Sequence, residues 1–238
     1  MGAIFGVEKY ARSLMKVVEE RGIELNTRHN LVELDADNRL ASFQLLDEFG
    51  KPTGRTKDLE YSLMHIAPPC SPVKALREFA AIQANLSLTD PNGWVAVHPQ
   101  TLQCTAFPNV FAIGDCANTP NSKTAAAIAS QFRTLKQNLS AALEGRPISA
   151  TYDGYASCPL IVDSKHVIMA EFNADGPMET FPYDQSKPSW LSFLMKRYLM
   201  PALYWNFLVK GLWNGPATFR KIFNAPRTIW QLLKLGKN

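Results

Sequence analysis

No G-x-G tripeptide occurs anywhere in the 238 residues, and this limits the folds open to the chain more sharply than its composition does. A complete dinucleotide-binding βαβ unit sets closely spaced glycines at its first strand–helix turn so that backbone can approach a pyrophosphate. Any nucleotide bound here must be held by other means. One segment still has strand-to-helix character. Thr105 to Asp115 reads as an apolar strand, Phe107 to Ile113, that delivers Asp115 directly after Gly114, where the chain allows close backbone approach. An Ala-rich helix, Ser122 to Leu143, follows and is stopped by Gly145 and Pro147. A strand-end carboxylate can accept hydrogen bonds from ligand hydroxyls. A helix N-terminus points unpaired N–H groups, with about half a positive charge, at an electron-rich atom. Ala125 and Ala126 leave room there for a flat ring. The spacing alone is also satisfied by Asp115 capping an ordinary turn.

Upstream, Val7, Ala11, Leu14, Met15 and Val18 recur at helical spacing, and Gly22 stops that helix. Short strands are expected at Ile23–Asn26, Leu31–Asp35, Leu40–Leu46 and Tyr61–Ala67, separated by Asp37-Asn38 and by Gly50, Pro52 and Gly54 as turns. Lys74 to Ala84 reads as a helix, and Asp90-Pro91-Asn92-Gly93 as a turn before a strand at Trp94–His98. The sequence shows no internal repeat.

Charge is unevenly distributed. From Gln185 to Asn238 there are nine Lys or Arg and no Asp or Glu, so the rest of the chain carries sixteen basic residues against twenty-one acids. The tail also holds four of the five tryptophans. Trp190, Phe193, Leu194 and Tyr198 form one helical set, and Leu203, Phe207, Leu208 and Leu212 a second after Pro201. Lys196, Arg197, Lys210, Arg220 and Lys221 supply charge, with Trp205 and Trp213 among the aromatics. This is the composition of a surface for anionic lipid, unless the apolar faces cover the protein's own core or a dimer interface. Nucleic acid is not an expected partner, because no recognition module accompanies the basic residues. No apolar run reaches the roughly 18 residues of a spanning helix, and the N-terminus lacks the layout of a signal peptide. Cys70, Cys104, Cys116 and Cys158 have no C-x-x-C spacing, and His29, His65, His98 and His166 no ligand spacing, so neither a disulfide framework nor a metal site is expected.

An ordered set of motifs narrows the possibilities: Gly114-Asp115-Cys116, Ser122-Lys123-Thr124-Ala125-Ala126, Tyr152 through Cys158-Pro159-Leu160, Glu179-Thr-Phe-Pro182, Asp184-Gln185-Ser186-Lys187, Leu203-Tyr-Trp205 and Gly215-Pro216-Ala217. This set resembles the sulfide:quinone oxidoreductases of the mitochondrial type and their bacterial relatives, from about Phe5 to Phe223, and corresponds to the C-terminal half of that family's polypeptide. The family's Gly-rich fingerprint and one of its two redox cysteines would lie upstream. Residues 73–90 match more weakly. The resemblance implies an α/β, partial two-dinucleotide-binding-domain flavoprotein with a C-terminal amphipathic helical membrane-binding region. Residues 1–92 would be part of the second dinucleotide-binding-like domain, 93–147 the C-terminal part of the FAD-binding domain, and 148–238 the redox-cysteine and quinone region.

By the same resemblance, Asp115, Lys123, Thr124, Ala125 and Ala126 contact FAD and Cys158 is an active cysteine. Trp190, Phe193, Lys196, Arg197, Trp205, Lys210 and Trp213 meet the membrane. Hydrogen sulfide is the donor, ubiquinone the electron acceptor, and glutathione, sulfite or a similar small nucleophile takes the sulfur at a mitochondrial inner membrane, or at a bacterial cytoplasmic one. Taken as bare residues, Cys158 also suits a buried filler and Lys123 a solvated lysine. Glu171 and Asp184 are open candidates for proton delivery. Two other readings remain: a type II NADH:quinone dehydrogenase, whose hydride chemistry needs no cysteine, and an inactive membrane-binding fragment.

Overall fold

The apolar stripe after Val7 folds as helix α1 (Glu8–Glu20), and it ends at Gly22, whose φ of 60° suits a residue without a side chain. These and all other positions are those of a computed structural model that describes residues 2–82 and 88–223. By internal packing the chain divides after Cys70 into two units. The first holds α1 and an antiparallel meander of β1 (His29–Asp35), β2 (Leu40–Leu46) and β3 (Pro52–Glu60). Tyr10 on α1 and Ala41 on β2 are fully buried.

Two of the expected strands, Ile23–Asn26 and Tyr61–Ala67, do not form, and β3 occupies a stretch that reads as turns. The reason is positional. Pro52 is the first residue of β3, where a missing N–H is tolerated, and Gly54 has a φ of 78° beside the register shift between Gln44 and Leu46. Beyond that irregularity Thr56–Glu60 pairs regularly with Leu40–Gln44, and its polar, mostly exposed residues suit an edge strand.

The second unit opens with α2 (Lys74–Ile82); the last two residues of the helix expected to reach Ala84 lie outside the described residues. The expected strands at Trp94–His98 and Phe107–Ile113 are reduced to isolated bridges: Val95 with Thr89 and Ala117, Val97 with Cys104, Phe111 with Gln103. Pro108 breaks the second of them, where Val110 N–H closes a turn on the Phe107 carbonyl at 3.0 Å. Val95, Val97, Ala112 and Ala117 form a core under this loop layer. Gly114–Cys116 is a single 3₁₀ turn, followed by helix α3 (Ala125–Leu143).

A second antiparallel sheet is built from β4 (Ala156–Ile161), β5 (Val167–Asn173) and β6 (Gly176–Pro177). β5 is buried along almost its whole length, as its run Val-Ile-Met-Ala allows. The tail does not break at Pro201 into two helices. Instead α4 (Trp190–Leu194), a π turn (Met195–Leu199), α5 (Met200–Leu203) and a second π turn (Tyr204–Leu208) follow without interruption. Pro201 has no N–H to give the Arg197 carbonyl, and the widened turn absorbs this, with Met200 N–H reaching back to Met195 and Val209 N–H to Tyr204. Residues 217–223 are helical again. Arg227, Trp230, Lys234 and Lys237, which belong to the basic aromatic tail, lie outside the described residues. Helix and sheet are mixed as in an α/β protein.

Candidate functional site

The turn carrying Asp115 is fixed against α3 by a buried amide. Gln131, on the inner face of α3, accepts the Gly114 N–H at 2.8 Å through Oε1 and reaches Thr119 Oγ1 and Asn121 Oδ1 through Nε2 at 3.5 and 3.4 Å. Gly114 has a φ of 69°, and a Cβ there would stand 3.1 Å from Ile128 Cγ1, so a side chain would push the turn off the helix. Asp115 is thereby left exposed at the rim of a cavity of about 480 Å³, which is also lined by Lys123, Thr124 and Ala125.

At the start of α3, Thr124 Oγ1 caps the Ala127 N–H at 3.2 Å. The Ala125 and Ala126 N–H groups precede the helical ladder, and Ala125 lines this cavity with a methyl-sized side chain. Ala126 packs on the buried cluster of Leu102, Tyr152 and Tyr155. Lys123 is occupied: its ammonium donates to the Ala117 carbonyl at 2.5 Å and stands 4.4 Å from the centre of the Trp94 ring.

A larger cavity of about 990 Å³ adjoins the same helix start and shares Thr124, Ala125, Tyr204, Leu208 and Trp213 with the smaller one. Cys158 opens into it from β4, paired with Ala170 of β5. Pro159 follows Cys158 within the strand, as the extended bias of a residue before proline requires. Burial pushes the Cys158 thiol above its ordinary value, while a hydrogen bond with Ser122 and the charge of Lys196 pull it back. Lys196, expected among the interfacial charges, instead turns inward and donates to the Pro159 carbonyl at 2.5 Å. Burial holds its ammonium below the ordinary lysine value, and the nearby Cys158 opposes this. Cys116 donates to the Ile113 carbonyl, 3.2 Å away, and does not line the larger cavity.

The cavity wall also holds Glu171, only 4% exposed. Tyr155 OH and Thr180 Oγ1 donate to its Oε1 at 2.6 and 3.0 Å, and Thr180 N–H and Gln185 Nε2 to its Oε2 at 3.0 and 2.8 Å. Arg220 Nη2 lies 3.9 Å from Oε1, and the guanidinium covers the Tyr155 ring at 4.9 Å. A carboxylate that accepts from Tyr155, Thr180 and Gln185 beside a guanidinium ties together the segments that supply those groups. Asp184 bonds locally to Ser186.

Of the remaining tail residues, Trp190, Arg197, Trp205 and Lys210 are exposed, Phe193 is half-buried under Arg197, and Trp213 lines both cavities. Among the described residues no helix is long and apolar enough to cross a membrane, and no group of three or more potential ligands could hold a metal.

Residues 6–130 match the pyridine nucleotide-disulphide oxidoreductase family. The chain belongs to that family. The family's proteins are FAD-dependent oxidoreductases, and the Asp115 turn with the α3 start falls inside the matched region. Among curated relatives, the chain is 43% identical over 225 residues to the mitochondrial sulfide:quinone oxidoreductase of Mus musculus, covering 94% of this chain and 48% of that protein. It is 39% identical to the mitochondrial sulfide:quinone oxidoreductase of Dictyostelium discoideum, covering 95% of this chain and 47% of the relative. For the Schizosaccharomyces pombe protein of the same name the figures are 36%, 90% and 46%. The chain thus spans about half the length of the curated relatives it matches. Among solved structures, a chain of the Tetrahymena thermophila mitochondrial ATP synthase cryo-EM structure shares its fold, with a TM-score of 0.71 at 23% identity, over 88% of this chain and 48% of that one.

Proposed function

We propose that this chain supplies the sulfur- and quinone-handling part of a mitochondrial sulfide:quinone oxidoreductase. In this reading hydrogen sulfide is oxidised at Cys158, the electrons reach ubiquinone, and the sulfur passes from a Cys158 persulfide to a small nucleophile such as glutathione or sulfite. The observation that carries it is the placement of Cys158 in the same cavity as the start of α3, where a flavin would bind. The pocket fits that group: Ala125 and Ala126 offer N–H groups over small side chains, and Asp115 stands exposed to take hydroxyls. Bound there, FAD would supply the two-electron acceptor that links the cysteine sulfur to the quinone.

Asp115 would hold the ribityl side, and the Lys123–Ala126 run would lie against the ring. Cys158 acts as nucleophile or as the sulfur carrier, which requires its thiolate, and the extended β4 backbone holds it fixed against the cavity. The larger cavity is walled by apolar side chains such as Phe181, Leu199, Pro216 and Phe219, which suits a quinone. Trp190, Tyr198, Trp205 and Leu212, each more than half exposed, with Arg197 and Lys210 beside them, would rest the tail on the surface of the inner membrane, where the quinone resides.

The decisive experiment is on the purified chain loaded with FAD and desalted. Sulfide is expected to bleach the flavin band and decylubiquinone to restore it, and Cys158→Ser is expected to keep the flavin and lose the bleaching. If Cys158→Ser turns over as the parent does, a cysteine-independent hydride chemistry replaces this reading.

A further inference from the structure

The ammonium of Lys196 is half-buried, and among the described residues no Asp or Glu forms an ion pair with it. A sequestered cation without a counter-charge is costly, and protein interiors seldom leave one unpaired. Its hydrogen bond to the carbonyl of Pro159 fixes it beside the residue that follows Cys158, in the wall of the cavity into which Cys158 opens. The π turn at Met195–Leu199 carries it there.

Other charged groups around the cavity do not compete for it. On β5, Glu171 is saturated by Tyr155, Thr180, Gln185 and Arg220, the last from the 217–223 helix. Lys123, ahead of α3, spends its charge on the Ala117 carbonyl and Trp94. Tyr155 is held neutral by burial and by the Glu171 charge. Ser122, which hydrogen-bonds the thiol, carries no charge. The group left to complement Lys196 is the sulfur of Cys158 once it has lost its proton.

We propose that Lys196 is the counter-charge of the Cys158 sulfur anion, anchored on the Pro159 carbonyl so that the site is electrically complete only when Cys158 is ionised. This rests on the reading of Cys158 as the sulfur-reactive residue. The step involved is the loss of the thiol proton to solvent, with no change in oxidation state. Lys196 is a positioning residue: it sets how much thiolate is present.

The test measures the alkylation rate of Cys158 by neutral iodoacetamide in the full chain, read on the Cys158-containing peptide by mass spectrometry across pH 6–10. Lys196→Met is expected to slow alkylation at pH 7.5 about five- to tenfold, with the high-pH plateau unchanged, because a nearby cation favours the thiolate but not access. Lys196→Arg is expected to stay within about twofold of the parent, since it keeps the charge. Equal rates in parent and Lys196→Met, or equal slowing in the Met and Arg variants, would each overturn the proposal. Because alkylation needs neither flavin nor sulfide, failure here is distinguishable from failure of the sulfide-oxidising reading, which shows in flavin bleaching.

Discussion

At the scale of single residues, the two sides of the larger cavity treat charge in opposite ways. Glu171 is buried with four donors and a guanidinium around one carboxylate, so removing it takes the counter-charge from Arg220, whose Nη2 has no hydrogen-bond partner among the described residues. Glu171→Leu should therefore lower the unfolding free energy by about 3–5 kcal/mol in urea titration, as when one partner of a buried pair is deleted. Tyr155→Phe removes one donor of the four and should cost about 1.5–3 kcal/mol. A Glu171→Leu loss below that of Tyr155→Phe would show that the carboxylate is not the hub of the network. The extended placement of Cys158 before Pro159 was legible in the sequence, but its companions were not. Ser122 and Lys196 lie far from it in sequence, and nothing in the local pattern of the tail separates an inward lysine from an interfacial one.

At the scale of elements, the Asp115 turn is only as well placed as its contact with α3. Gln131→Ala leaves the buried Gly114 N–H without an acceptor and should cost about 1–3 kcal/mol. The same variant should weaken FAD retention on desalting, because Asp115 then loses its fixed position. Thr124→Ala removes the cap on Ala127 and should cost about 1 kcal/mol, whereas Thr124→Ser should restore most of it. Retention of flavin unchanged in Gln131→Ala would mean that the turn holds itself. The Ala-rich helix, its start and its Gly145 stop were readable because they rest on propensity, capping and periodicity, which act locally. The strand expected at Phe107–Ile113 was not, since an apolar run containing a proline is open to either outcome until neighbouring strands offer or withhold pairing. Pro201 misled in the same manner. A proline ends a helix only if no wider turn absorbs it, and here two π turns do.

At the scale of the whole molecule, burial leaves several acids neutral above their ordinary range. Burial raises the Cys158, Tyr152, Tyr155 and Tyr183 values, so in the folded state each keeps its proton at a pH where the unfolded chain has released it. Between those two values the unfolded state binds fewer protons, and stability falls as pH rises. Lys196, held low by burial, acts in the opposite sense over the upper part of the range, but the four acids outnumber it. The melting temperature is therefore expected to decline above about pH 9, and Tyr155→Phe should flatten the decline even though it is destabilising at pH 7. A melting temperature constant from pH 8 to 10.5 would refute this. The sequence by itself determined α1, the start of α2, α3, the meander around β1 and β2, the Gly-Asp turn ahead of an Ala-rich helix and the extended cysteine before proline, because each depends on neighbours within a few residues along the chain. Tertiary structure alone decided that the tail runs unbroken through Pro201, that Glu171 is saturated and that Lys196 turns into the cavity that Cys158 lines. Each of these depends on which distant groups are brought close once water is excluded, and no local pattern encodes that.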